Sequence, residues 1–295
     1  MGWRAEVSAI SKHGFPLTLN ARLHDVSIAD PATGVAVDAA QLDLIAAALW
    51  PGFMTVKLPE TPIEITTAVD RVMLHANDAQ ADLLLHPGTS LQLQSMSAVS
   101  NAWQVSVAKG SILSADDLRV AVIQDGTTPE TYQFNVDVSN LTPGTLTRAA
   151  IALPVDWPAS FDAFTADVSV TFDMPWDRTA LASRRPQPRA VTLRRLKATW
   201  GDLNILVTGK VAIDPKGIPT GTLSLALTNW SRIINWAEIS GALPVAQRQQ
   251  AEIMLSALSN LGGSPNDLDL TLSLQEGEMS LGSIRLGPAP RLILR

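Results

Sequence analysis

Three acidic pairs lie close enough in the chain to share a proton: Asp116 with Asp117, Asp267 with Asp269, and Glu276 with Glu278. Two carboxylates on one surface are the minimum equipment for general acid–base chemistry. Asp267 and Asp269 meet the geometric condition, because residues two apart on a strand project from one face. Leu268 and Leu270 alternate with them, so the pattern is that of a strand with a solvated acidic side. Glu276 and Glu278 flank Gly277 and read as turn residues. The four histidines, His13, His24, His75 and His86, form neither an i, i+4 pair nor the HExxH arrangement of a zinc site. His13 before Gly14 and His86 before Pro87 are turn positions. There is no Gly-X-Ser-X-Gly elbow, Walker loop or dinucleotide fingerprint, and Gly282-Ser283 lacks the following helix that would aim amides at a phosphate. The expectation is a protein without a catalytic constellation, metal or cofactor.

The side chains that offer binding chemistry are apolar. Leu203, Ile205, Val207, Gly209, Val211 and Ile213 alternate along one strand, Asp214-Pro215-Lys216-Gly217 supplies a turn, and Leu223, Leu225 and Leu227 resume the row. Later, Leu268, Leu270, Leu272 and Leu274 lead through the Glu276-Gly277 turn into Met279, Leu281, Ile284 and Leu286, and Pro288 and Pro290 end the ladder. Leu203, Ile205, Val207, Leu223, Leu225, Leu227, Leu270, Leu272, Met279 and Leu281 are the candidate lining of an apolar groove. The alternative is that they form ordinary core beneath two helices. Ser231 is placed to cap the first, in which Ile233, Ile234 and Ala237 share a side and which Gly241 stops. The second runs from Pro244 with Ala246, Ile253, Leu255, Leu258 and Leu261 inward, Gln247, Arg248 and Gln249 outward, and Gly262-Gly263 as its end.

These elements need a scaffold, and the preceding residues predict a mainly β one with a few helices: a large curved antiparallel sheet or half-barrel. Strands are expected around Ala5 to Ala9, Leu17 to Ile28, Val35 onward, Phe53 to Leu58, Ile63 to Thr67, Val69 to His75, Ala79 to His86 and Leu91 to Met96. They continue at Trp103 to Lys109, Leu118 to Ile123, Tyr132 to Val138, Ala166 to Phe172 and Val191 to Trp200. Leu42, Ile45 and Leu49 fit helix or strand, with Trp50-Pro51-Gly52 as terminator, and 141–158 reads as irregular apart from one helical turn. The chain reads as one elongated unit, with a possible division into a meander over 1–174 and a hairpin-helix-hairpin module over 190–295, joined by a basic, proline-broken linker at 175–189.

Composition narrows the partners. The 295 residues carry a net charge of −6 and only 17% charged side chains, against 46% hydrophobic ones. Nucleic-acid binding needs clustered cations and is not expected; the run from Arg184 to Lys197 is local. Zero cysteines exclude disulfides and thiolate sites. No apolar stretch approaches the roughly 18 residues of a membrane span.

Several runs resemble a known family. They are Phe172-Asp173-Met174-Pro175-Trp176-Asp177-Arg178, Trp200-Gly201-Asp202-Leu203, Gly217-Ile218-Pro219-Thr220-Gly221-Thr222-Leu223, Asn229-Trp230, Met279-Ser280-Leu281-Gly282 and Leu286-Gly287-Pro288-Ala289-Pro290. Together they resemble the bacterial domain of unknown function 2125 family. That resemblance implies an N-terminal membrane anchor preceding a segment like Gly2-Trp3 to Pro16, hence a periplasmic protein held at the inner membrane. Leu23-His24-Asp25-Val26-Ser27-Ile28 and the closing strand pair also resemble AsmA-like envelope proteins, which implies a sheet groove that accommodates lipid or another apolar ligand. No protein partner is indicated.

Overall fold

An alternating segment with one apolar face must find neighbours edge to edge and something to cover that face. The computed structural model describes residues 3–14, 18–31, 33–47, 50–182, 184–241, 243–261, 264–282 and 284–294. The strands are β1 (Arg4–Glu6), β2 (Ala9–His13), β3 (Thr18–Asp30), β4 (Val35–Ala47), β5 (Trp50–Lys57), β6 (Ile63–Thr66), β7 (Arg71–Ala76), β8 (Gln80–Leu85), β9 (Leu93–Ser100), β10 (Trp103–Val107) and β11 (Gly110–Ala115). They continue with β12 (Asp117–Gln124), β13 (Thr131–Ser139), β14 (Thr142–Pro143), β15 (Ala163–Phe172), β16 (Pro188–Trp200), β17 (Leu203–Ile213), β18 (Pro219–Thr228), β19 (Asp267–Gln275), β20 (Glu278–Leu281) and β21 (Ile284–Pro288). The helices are α1 (Thr145–Ala150), α2 (Thr179–Ala182), α3 (Ser231–Ile239) and α4 (Val245–Leu261).

The protein is mainly β, as expected, and its strands join in one large open antiparallel sheet. The main ladder runs β3·β4·β5·β8·β9·β12·β13·β15·β16·β17·β18·β19·β20·β21, every pair antiparallel. β1 and β2 both pair with the other edge of β3. β4 is the branch point, because its length serves two partners: residues 43–47 pair with β5, and Ala36, Val37 and Asp38 pair with β6. From β6 a second arm continues through β7, β10, β11 and β14. This arm turns its apolar side onto that of the ladder, so Leu74, Ala76, Trp103 and Val105 stand across a cavity from Val56, Ala81, Ala98 and Leu118. α1 packs on β11 and β14, and α4 packs on α3 and β19.

Ion pairs tie distant turns together. Asp30, buried at the end of β3, receives the Arg185 guanidinium at 3.0 Å, and that guanidinium also lies over the Trp3 ring at 5.3 Å. The stretch 175–189 passes between the paired strands β15 and β16. It carries α2, places Trp176 edge-on to Phe172 at 5.6 Å, and sends Arg184 and Arg189 to Asp173.

The Leu42 and Ile45 segment, whose pattern fits helix or strand, is strand, with Leu42 and Leu44 alternating against Asp43 and Ile45 on β4. Several other local expectations are corrected. Trp50 and Gly52 open β5 instead of terminating the preceding element. Gly110–Ala115 adds a strand where none was expected, because Ser111 and Ser114 mask its alternation. Ser231 is the first helical residue and not the cap: Trp230 occupies the cap position and makes no side-chain bond to the helix, its indole N–H donating instead to the Pro265 carbonyl at 3.2 Å. Leu49, Phe15-Pro16, Gly262-Gly263 and Ser283 lie outside the described residues.

Candidate apolar groove

The register aligns side chains of one face into rows that cross the whole ladder. One row reads Ala21, Leu44, Val56, Ala81, Ala98, Val120, Val136, Ala166, Leu196, Val207, Leu225 and Leu270, each the cross-strand partner of the next. Every member is apolar, and every member is half-buried. Strands lie about 4.8 Å apart, so the row is roughly 50 Å long. A parallel row two residues along each strand reads Ala46, Met54, Leu83, Met96, Val122, Phe134, Val168, Leu193, Gly209, Leu223, Leu272 and Leu281. The two stay in phase through β16 because the irregularity between Leu193 and Leu196 adds one residue there.

Buried clusters flank these rows on both sides, at the two ends of the strands. At one end Leu153, Trp157, Trp200 and Leu203 form a buried cluster, and Leu227, Trp230, Ile234 and Leu268 form another beside it. Phe161 stacks on Trp200 at 4.1 Å. The indole N–H groups of Trp200 and Trp236 donate to the carbonyls of Pro158 and Ile151 at 3.0 and 2.7 Å, which removes the usual cost of burying tryptophan. At the other end Val122, Tyr132 and Phe172 form a third cluster against Leu93 and Trp176, and Val211, Ile213 and Leu274 a fourth.

The sequence candidates divide between these settings. Leu203 and Leu227 are buried beneath the helices, with Ile205 and Leu270 packed against them. Leu223 and Met279 lean on the cluster around Leu274. Val207, Leu225, Leu272 and Leu281 are half-buried within the rows. The C-terminal hairpins are thus one end of a much longer surface. Its other members, from Ala21 to Leu196, were legible as alternating positions on each strand, but their alignment depends on pairings such as β5·β8 and β9·β12 that skip intervening strands.

The second long helix is rotated from its expected setting. Ile253 is 65% exposed, Ala246 is exposed, and Met254 and Leu258 are 41% and 42% exposed, whereas Leu255 packs inward and Ser259 is buried with its hydroxyl donating to the Ser264 carbonyl. Arg248, expected outward, is half-buried and bonds Glu238 and Asn235 of α3 while lying 3.8 Å from Glu252. This charge cluster fixes which side of α4 meets α3. Arg248→Ala should raise amide exchange across α4 by up to about fivefold, the effect of a partly exposed ion pair, with no change in the ladder. Hydrogen exchange read peptide by peptide checks it, and unchanged exchange in α4 would remove the pair's assigned role.

The opposite face of the ladder is polar. Arg22 forms a two-pronged pair with Asp43 at 2.8 and 3.0 Å, and hydrogen bonding to that guanidinium holds the Asp43 carboxyl below the ordinary range. Farther along, Arg119, Asp137, Asp167 and Arg194 border an open hollow of about 780 Å³. Asp267 and Asp269 are both exposed, and His86 contacts the Gln124 amide oxygen at 2.7 Å. Among the described residues no group of three His, Cys, Asp or Glu side chains is placed to hold a metal, and no helix is long and apolar enough to cross a membrane.

Tyr132 lies in the buried cluster with Val122 and Phe172 and is the chain's single tyrosine. It is fully buried; its hydroxyl donates to the Leu93 carbonyl at 3.3 Å and accepts from the Trp176 amide at 3.0 Å and the Gln124 amide at 3.2 Å. Burial pushes its phenol above the ordinary value, with the bond from Trp176 partly opposing. The folded state therefore favours the neutral phenol. That stabilisation is complete below the unfolded value of about 10 and is lost as pH rises through the higher folded value. A spectrophotometric titration should show native phenolate forming only at higher pH than in a free tyrosine, with stability falling over that interval, and Tyr132→Phe should flatten that fall. Ionisation at the ordinary value would contradict the buried setting.

No curated protein matches the chain. A family model described as an uncharacterized protein conserved in bacteria (DUF2125) matches residues 1–290, so the chain belongs to that family.

Proposed function

We propose that this is a non-enzymatic envelope protein, facing the periplasm from an inner-membrane anchor, that binds lipid or another apolar ligand in its sheet-lined groove and serves lipid transport or envelope homeostasis. The observation supporting this reading is the row from Ala21 to Leu270: twelve apolar side chains, all of them half-buried. A filled core would bury most such side chains completely, and a solvated strand face would carry polar ones. The proposed placement in the envelope draws on what the family resemblance implies. Displacement of a fluorescent fatty acid by unlabelled lipid tests the reading. Saturable, competable binding is expected, and no binding to the purified protein would overturn it.

A second reading, a structural or assembly factor working through protein contacts, draws on α4. Its inner side completes the buried cluster around Leu227 and Leu268, while Val245, Ile253 and Met254 face outward. Crosslinking from position 253 in the native envelope that traps one defined protein, together with absent fatty-acid binding, would favour that reading.

A further inference from the structure

We propose that the cavity between the ladder and the second arm holds the methyl end of one unbranched acyl or alkyl chain and sets the chain length the protein accepts. This rests on the groove reading above and adds to it a ligand class and a measuring device. The cavity has a volume of about 330 Å³. Val56, Ala81 and Ala98 on its floor are consecutive members of the long apolar row, so the cavity is the roofed continuation of the open groove. An occupant that lies in the row and enters beneath the roof has to be long and narrow.

The walls are almost wholly hydrocarbon: Gln80, which also borders the cavity, alternates with Ala81 on β8, so its side chain projects toward the other face. Among the described residues, no charged side chain lines the cavity. The Ser100 hydroxyl is committed to the Asn77 carbonyl at 3.1 Å. The indole N–H of Trp103 is occluded and has no hydrogen-bond partner, so that ring presents carbon to the space. A carboxylate or phosphate drawn inside would lose its hydration without compensation, which keeps the head group in the open groove. The volume lies at the lower limit for small-molecule sites, which suits one chain and not two. Alanines make the space: Ala98 on the floor and Ala76 on the roof are the positions where a larger side chain would shorten it.

The test uses the full chain with saturated fatty acids of graded length and a terminally brominated fatty acid. Wild type should show an optimum length. Ala98→Leu should move that optimum down by about three carbons, the difference between the two side chains, while leaving shorter chains within about twofold of wild type. Ala76→Leu, acting from the opposite wall, should do the same, which separates occupancy from damage at one strand. The terminal bromine should quench tryptophan emission, and Trp103→Phe should remove most of that quenching. Normal binding with an unchanged optimum in both leucine variants and intact quenching in Trp103→Phe would overturn the cavity assignment while leaving the groove reading standing. Absence of binding by any chain to wild type would overturn both.

Discussion

Gly209→Ala is expected to destabilise the fold by about 3 kcal/mol, more than a surface substitution on any other strand. The reason is local and double. Gly209 sits mid-strand on β17 with φ of 152°, a conformation that residues with a Cβ rarely adopt, and an added Cβ would lie 2.3 Å from the Thr222 carbonyl oxygen and 2.9 Å from the Leu223 Cα. Both obstacles belong to the backbone of the paired strand and cannot swing aside. Gly221 on β18 repeats the arrangement from the other side, with φ of 156° and the Lys210 carbonyl oxygen 2.2 Å from where a Cβ would stand. Gly209 pairs with Leu223 and Gly221 with Val211, so each glycine spares the backbone of the facing strand a collision with a Cβ. Gly126→Ala is the control: nothing lies within 4 Å of its added carbon, and a change within about 0.5 kcal/mol is expected. Denaturant unfolding of the two variants decides the matter. Equal stabilities would mean that the close approach is not a constraint.

The second large effect is on binding. Val136→Asp puts a carboxylate in the middle of the twelve-member row, flanked by Val120 and Ala166. Because Val136 is half-buried, the charge can reach solvent when the groove is empty, and the fold should lose no more than about 1–2 kcal/mol. A bound chain would remove that solvent. Fatty-acid affinity is therefore expected to fall at least about tenfold. Ser224→Asp, on the polar face of β18 where Ser224 is exposed, should leave affinity unchanged. Equal losses in both variants would point to a general charge effect and not to the groove.

The antiparallel sheet was legible because period-two alternation survives in nearly every strand, from Leu23 on β3 to Leu272 on β19. The long row was less so. Alternation shows which face of a strand is apolar, but not that Ala81 will stand beside Val56, a pairing made across the β6–β7 hairpin. The branch at β4 depends on a strand long enough to serve two neighbours, a property of chain geometry and not of residue type. The apolar residues of α4 are spread around the helix and do not alone set its orientation: Leu255 packs inward while Val245 and Ile253 face out, and Arg248 meets both Glu238 and Asn235 on the side that faces α3. In the sequence Gly209 reads as a gap in the leucine row; in the fold it is the place where two strands touch.

Whether the long apolar row is the floor of a ligand groove can be decided by photo-crosslinking the intact protein with a diazirine-bearing fatty acid and mapping the adducts by tandem mass spectrometry. Adducts are expected on Val120, Val136, Leu196 and Val207, suppressed by excess unlabelled fatty acid. Adducts confined to the outer side of α4, at Ile253 and Met254, or labelling that unlabelled fatty acid does not suppress, would contradict the groove.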